Sequence, residues 1–156
     1  MTLSQWIWVA TAAYGIHILE EYVLDWRDWA RAVIGLPVDW NDFYVTNALV
    51  IVLGAAAANI ADSMPGIALA FPALMLINAI FFHVAPVFVA RGRFSPGLIT
   101  AIGLFLPIGI ASFWNVHAAG VLSTGTIATA FTIGAALMAW PIVLLRLKSR
   151  PYFRQA

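Results

Sequence analysis

The stretch Gly15 to Trp26, "GIHILEEYVLDW", sets His17, Glu20 and Glu21 at the end of a run in which residues 3–14 carry no charge. Whether that run is a membrane helix decides the fold. The rest of the chain answers the question. It has 156 residues, 63% hydrophobic and only 10% charged, with a mean hydropathy of +0.91. A soluble domain is about half apolar and about a quarter charged. The excess apolar residues have no soluble core to fill, so the bilayer is the expected solvent. There is no cysteine, which excludes disulfides, thiolate metal sites and cysteine nucleophiles. A net charge of +1 gives no reason to invoke nucleic acid. The start, "MTLSQWIW", lacks a basic segment and no small-residue cleavage site follows, so the first helix is read as retained rather than as a signal peptide.

Apolar stretches of roughly 20 residues mark spanning helices. Five are expected, at residues 3–25, 43–61, 66–90, 97–118 and 122–145, forming one transmembrane domain over residues 1–156. Their breaks are chemical. Asp62 to Gly66 reads as a tight turn, Arg91 to Gly97 as a basic loop with Ser95 as a helix N-cap, and Ala118 to Thr126 as a small polar link. Arg27 and Arg31 follow span one, Arg91 and Arg93 follow span three, and Arg146, Lys148, Arg150 and Arg154 follow span five. These are all 8 basic residues, and they fall on one side of the membrane. By the positive-inside rule that side is the cytoplasm, with the N-terminus outside. The fold class is therefore an all-α, five-span helical bundle. Residues 26–42 interleave Trp26, Trp29 and Trp40 with arginine and aspartate. They read as a short interfacial segment at the headgroups, which also makes them a candidate lid.

His17, Glu20 and Glu21 share a helical face, His17 and Glu21 best of all. At 1.5 Å per residue they lie ~21–27 Å from Leu3, in the inner half of the hydrocarbon core. A carboxylate at such a depth costs at least ~2.5–3.5 kcal/mol. No lysine or arginine occurs within a span, and Arg27, at the membrane edge, can satisfy one charge at most. A proton or a metal ion is the expected counterpart.

Depth then selects partners from the other spans. His83, Asn47, Thr100 and Trp140 fall near the level of the glutamates, and Asn78 near that of His17. A cavity lined by Tyr14, His17, Glu21, Tyr44, Asn47, His83 and Trp140 is expected in the inner leaflet. Asn78 and His83 are five residues apart, ~140° around a regular helix, so they share a cavity only where the helix is widened or bent. Pro86 makes such a bend plausible. His117 lies ~30 Å along span four and reads as part of an outer interfacial cap, "WNVH".

His17-Ile18-Leu19-Glu20-Glu21 resembles the defining motif of the HXXEE domain family, small bacterial membrane proteins. "NAIFFH" (Asn78 to His83) and "FSPGLITAIGLFLP" (Phe94 to Pro107) look like later segments of the same family. The resemblance implies a membrane enzyme of the bacterial cytoplasmic membrane, and supplies no substrate.

The residues point first to a membrane-embedded metalloenzyme. Histidine and carboxylate ligands on facing helices are how bundles hold iron, manganese or zinc. His17, Glu20, Glu21 and His83 are the expected ligands, of one ion or of a sparse two-metal site. Glu20, Glu21 and His83 are the expected catalytic groups. Tyr14, Tyr44, Asn47, Asn78, Thr100 and Trp140 are expected to contact a lipophilic substrate or to support the ligands. The reaction would be hydrolysis, hydroxylation or desaturation. The alternatives are a metal-free acid–base isomerase or cyclase of a sterol- or terpene-like lipid, and a proton-coupled transporter. The small-residue stretches Gly54 to Ala61 and Ile133 to Leu137 permit close helix contacts, within one chain or in a homodimer.

Overall fold

The computed structural model describes residues 1–148 together with Arg150 and Tyr152. Arg154, one of the basic residues that set the expected orientation, lies outside the described residues. The described regular structure is helical throughout: α1 (Leu3–Val23), α2 (Trp26–Val33), α3 (Trp40–Ile60), α4 (Pro65–Val89), α5 (Leu98–Ala118) and α6 (Thr124–Lys148). The five long helices coincide with the five apolar stretches, each end within a few residues. Four of them, α3 to α6, are long and apolar enough to cross a membrane. Helix α1 has 21 residues, as α3 does, but Gln5, His17, Glu20 and Glu21 dilute its hydropathy and it is not one of the four.

Helix α4 is the centre of the bundle. Of its most apolar stretch 61% is buried, against 33% for α3 and α5 and 11% for α6. The small residues explain how the neighbours come so close. A Cβ on Gly54 of α3 would lie 2.5 Å from Thr11 Oγ1 and 2.8 Å from Phe71 Cζ. One on Gly134 of α6 would lie 2.9 Å from the backbone nitrogen of Leu74. Both small-residue stretches therefore make contacts inside one chain.

Local chemistry sets the helix ends. Thr2 and Gln5 form a reciprocal capping box at the start of α1, and Asp39 and Asp42 form another at the start of α3. Between them, α2 turns an amphipathic face inward. Trp29, Ala30, Leu36 and Val38 pack with Phe43 of α3 and Leu145 of α6. Arg31 closes the loop by donating to Asp39 at 3.0 Å and to the Val38 carbonyl at 3.4 Å. Arg27, placed by the sequence too near the membrane edge to answer more than one charge, pairs with Asp28 at 2.7 Å and lies over the Trp40 ring.

Two helices depart from α geometry at the same depth. In α4, residues Ala79–Val84 form a π-turn, and in α5 residues Ala101–Phe105 form another. Each is followed at its second residue by a proline, Pro86 and Pro107. A proline lacks the N–H that closes a regular turn four residues back, and such wide turns gather at functional sites. The first π-turn is the widening that lets Asn78 and His83 both point inward, at 6% and 0% exposure. The two π-turns pack against each other, and the second also packs against α1.

Candidate metal centre

One helical turn of α1 presents His17 and Glu21 side by side, and the π-turn of α4 brings His83 to meet them. Glu21 Oε1 lies 3.5 Å from His17 Nε2 and 3.5 Å from His83 Nε2. Both imidazoles are wholly buried and Glu21 is 5% exposed. Among the described residues these three offer ligand atoms all within 4.8 Å of one another.

The hydrogen bonds behind the histidines fix which nitrogen carries the proton. Thr100 Oγ1 donates to Glu20 Oε2 at 2.6 Å and lies 2.7 Å from His17 Nδ1. Its one proton goes to the carboxylate, so His17 Nδ1–H donates to the hydroxyl. Ser95 Oγ donates to the Phe82 carbonyl at 3.3 Å and lies 3.2 Å from His83 Nδ1. A carbonyl only accepts, so His83 Nδ1–H is again the donor. The Phe82 carbonyl is the one that Pro86 deprives of its regular helical partner. In the neutral rings both Nε2 atoms are then lone pairs, buried and without a hydrogen-bond partner, and both converge on a carboxylate oxygen. Three acceptors at one point repel one another unless a proton or a cation joins them.

Glu20 stands outside this group. Its carboxylate accepts from the backbone N–H groups of Gly97, Ile99 and Thr100 at 3.1, 3.1 and 2.8 Å, besides the Thr100 hydroxyl. It is the anion at the N-terminus of α5, where the helix dipole favours negative charge. A proton or a metal ion were therefore not the only answers to the paired glutamates. Ser95, expected to cap this helix with its side chain, supports His83 instead.

Gly97 makes the arrangement sterically possible. Its φ of +93° belongs to the left-handed region, and a Cβ there would lie 2.5 Å from His83 Cε1 and 2.7 Å from His17 Cε1. Sequence reasoning missed the roles of Ser95 and Gly97. The Ser-Pro-Gly step between two spans was the available signal.

A cavity of about 80 Å³ opens beside the triad, with Tyr14, Glu21, Asn47 and Asn78 among its lining residues and Trp26 and Val38 from the α2 segment. Asn78 Oδ1 is buried without a partner. Of the other residues expected on this cavity, His17 and His83 are wholly buried and do not line it, and Tyr44 and Trp140 are 48% and 57% exposed on the outer faces of α3 and α6. His117 is exposed near the far end of α5, beside Trp114.

A family model described as a protein of unknown function with HXXEE motif matches residues 8–112, more than half of the chain. The chain belongs to the HXXEE family. The first histidine and last glutamate of its HXXEE motif join His83, while the middle glutamate caps α5. All the residues that build the HXXEE site, from His17 to Thr100, lie inside the matched region, and α6 lies beyond it. No curated protein and no solved structure matches the chain.

Proposed function

We propose that this HXXEE protein is a membrane-embedded enzyme that holds a divalent metal ion between His17, Glu21 and His83 and acts on a lipophilic substrate. The observation that carries the reading is the pair of unpartnered Nε2 lone pairs, each 3.5 Å from one Glu21 oxygen. A direct N–H···O bond would be 2.7–3.2 Å. Two donors held at ~2.1 Å by one tetrahedral ion stand ~3.4 Å apart. The spacing suits an ion better than a shared proton. Two imidazoles and one carboxylate are a donor set of iron, manganese and zinc sites, with positions left open. Such an ion supplies Lewis-acid or redox chemistry when bound.

The protein's own groups have separable tasks. Thr100 and Ser95 hold the two rings in the tautomer that exposes Nε2. Glu20 holds Thr100 and the start of α5. Asn47 and Asn78 offer hydrogen bonds to whatever enters the cavity, and the α2 segment excludes water from above.

The membrane setting is part of the proposal. Helix α1 is taken as a fifth span, because its carboxylates meet partners inside the bundle, and α2 as an interfacial helix. By the positive-inside rule the arginines and Lys148 would then lie on the cytoplasmic side of a bacterial inner membrane with the C-terminus, and the N-terminus outside.

Elemental analysis of the protein purified in detergent tests the metal. About one transition-metal ion per chain is expected, lost in His17→Ala and His83→Ala. A wild-type protein that stays folded and binds none of iron, manganese or zinc, even when they are supplied, sinks the metal reading and leaves the acid–base alternative.

A further inference from the structure

A groove of about 530 Å³ runs between α3 and α6, with Asp42, Val45, Thr46, Leu144, Leu145 and Lys148 among its walls. It shares Asp42, Thr46, Pro141 and Leu145 with the cavity beside Glu21, so the two adjoin along one seam. Both flanking helices are apolar enough to cross a membrane, and α6 is the least covered of them. Val45 is 72% exposed and Leu144 46%, as befits a wall that meets lipid chains. Pro141, on the seam, lacks the N–H that would bond the Leu137 carbonyl, so α6 is most easily bent there. At the polar end, Lys148 Nζ donates to both oxygens of Asp42, at 2.9 and 3.1 Å.

The inner end of the seam has a defined chemistry. Asn78 Oδ1 is a buried acceptor without a partner, and Trp26 Nε1 is a buried donor without one. Both residues line the cavity. A hydroxyl can donate to the first and accept from the second. Lys148, the cation on the groove, is already engaged by Asp42, so among the described residues the polar end of the seam leaves no cation to pair with an anionic head. A cavity of about 80 Å³ has room for a few water-sized groups, not for a phosphodiester headgroup.

We infer that the seam between α3 and α6 is a lateral portal that binds an uncharged single-chain lipid alcohol, with its chain in the groove and its hydroxyl at Asn78. The inference rests on the function proposed above and supplies the substrate class for that same site.

The test is photolabelling of the full chain in lipid nanodiscs by hexadecanol carrying a diazirine. Saturable labelling is expected at Val45, Thr46, Leu144 or Leu145, competed by plain hexadecanol. The matching carboxylate, which has no proton to donate to Asn78 Oδ1, should label about tenfold less, the ratio set by about one lost hydrogen bond. Thr46→Trp should block the groove and remove the labelling. Where that variant fails to fold, Leu144→Trp serves from the opposite wall. Asn78→Leu should abolish the preference for alcohol over acid. Labelling spread evenly over outward residues such as Val52 and Ile110, or indifferent to both tryptophans, overturns the portal. Equal labelling by alcohol and acid overturns the substrate class. Metal content read on the same samples separates the two readings. A bound ion with label elsewhere defeats the portal alone, and label in the groove without an ion upholds the portal while the metal reading fails.

Discussion

His17 and His83 meet edge to face, their ring centroids 4.7 Å apart at 87°, although they come from helices α1 and α4. Each ring is held from behind by a hydroxyl, Thr100 for one and Ser95 for the other. The paired supports predict paired phenotypes. Thr100→Val and Ser95→Ala should each lower metal affinity about 10–100-fold, the range for groups that orient a ligand. Thr100→Ser should restore it. Competition with a chromogenic chelator measures this, and full affinity in both variants would show that the hydroxyls do not orient the ligands.

The two glutamates of the motif should separate cleanly. Glu21→Gln is expected to abolish metal retention. Glu20→Gln should keep the ion but loosen the start of α5, by up to ~2 kcal/mol for a partly buried charge at a helix terminus. Metal content and thermal unfolding in the same detergent distinguish them. Identical behaviour of the two variants would overturn the division of roles.

Gly97 should tolerate no side chain. In Gly97→Ala the methyl group meets both imidazoles, and the left-handed backbone adds strain on the order of 1–3 kcal/mol. Loss of metal binding with the chain still inserted is expected. A fully active Gly97→Ala protein would contradict the close approach.

Helix packing offers a control far from the chemistry. Gly134→Leu should force α6 from α4 and destabilise the protein by about 1–3 kcal/mol or more. Unfolding in a denaturing detergent series reads the change. No shift would mean that α6 does not pack against Ala70 and Leu74 as described.

Topology is tested with single cysteines near Met1 and at Arg150, in a chain that has none of its own. Membrane-impermeant labelling should reach the first from outside and the second only after lysis. Labelling of both from the same side would reject a fifth span.

Much of this was legible in the sequence, for definite reasons. Twenty apolar residues have few places to go but a bilayer, so the long helices could be read directly. His17 and Glu21 are one turn apart, and Pro86 marked the place where α4 widens to admit His83. Depth along a helix was legible too, but rotation was not. That is why Tyr44 and Trp140 were expected on the cavity and lie outside it. The partner of Glu20 was illegible because its cap is built from backbone N–H groups 77 residues away. Backbone donors leave no signature in residue type, and a search for basic side chains passes over them.

The cap on α5 also bears on the order in which the protein is made. Glu20 is translated 77 residues before Gly97, which at about 5–20 residues per second is roughly 4–15 s. Throughout that interval Glu20 lacks the N–H groups that later receive it, and for most of it Glu21 lacks His83; in a bilayer each uncompensated carboxylate would cost at least ~2.5 kcal/mol. The first helix synthesised is therefore expected to be held loosely until α4 and α5 arrive. Chains ending before Ser95 should release α1 to alkaline carbonate or protease far more readily than the whole protein does. Equal resistance would show that the helix settles without its later partners.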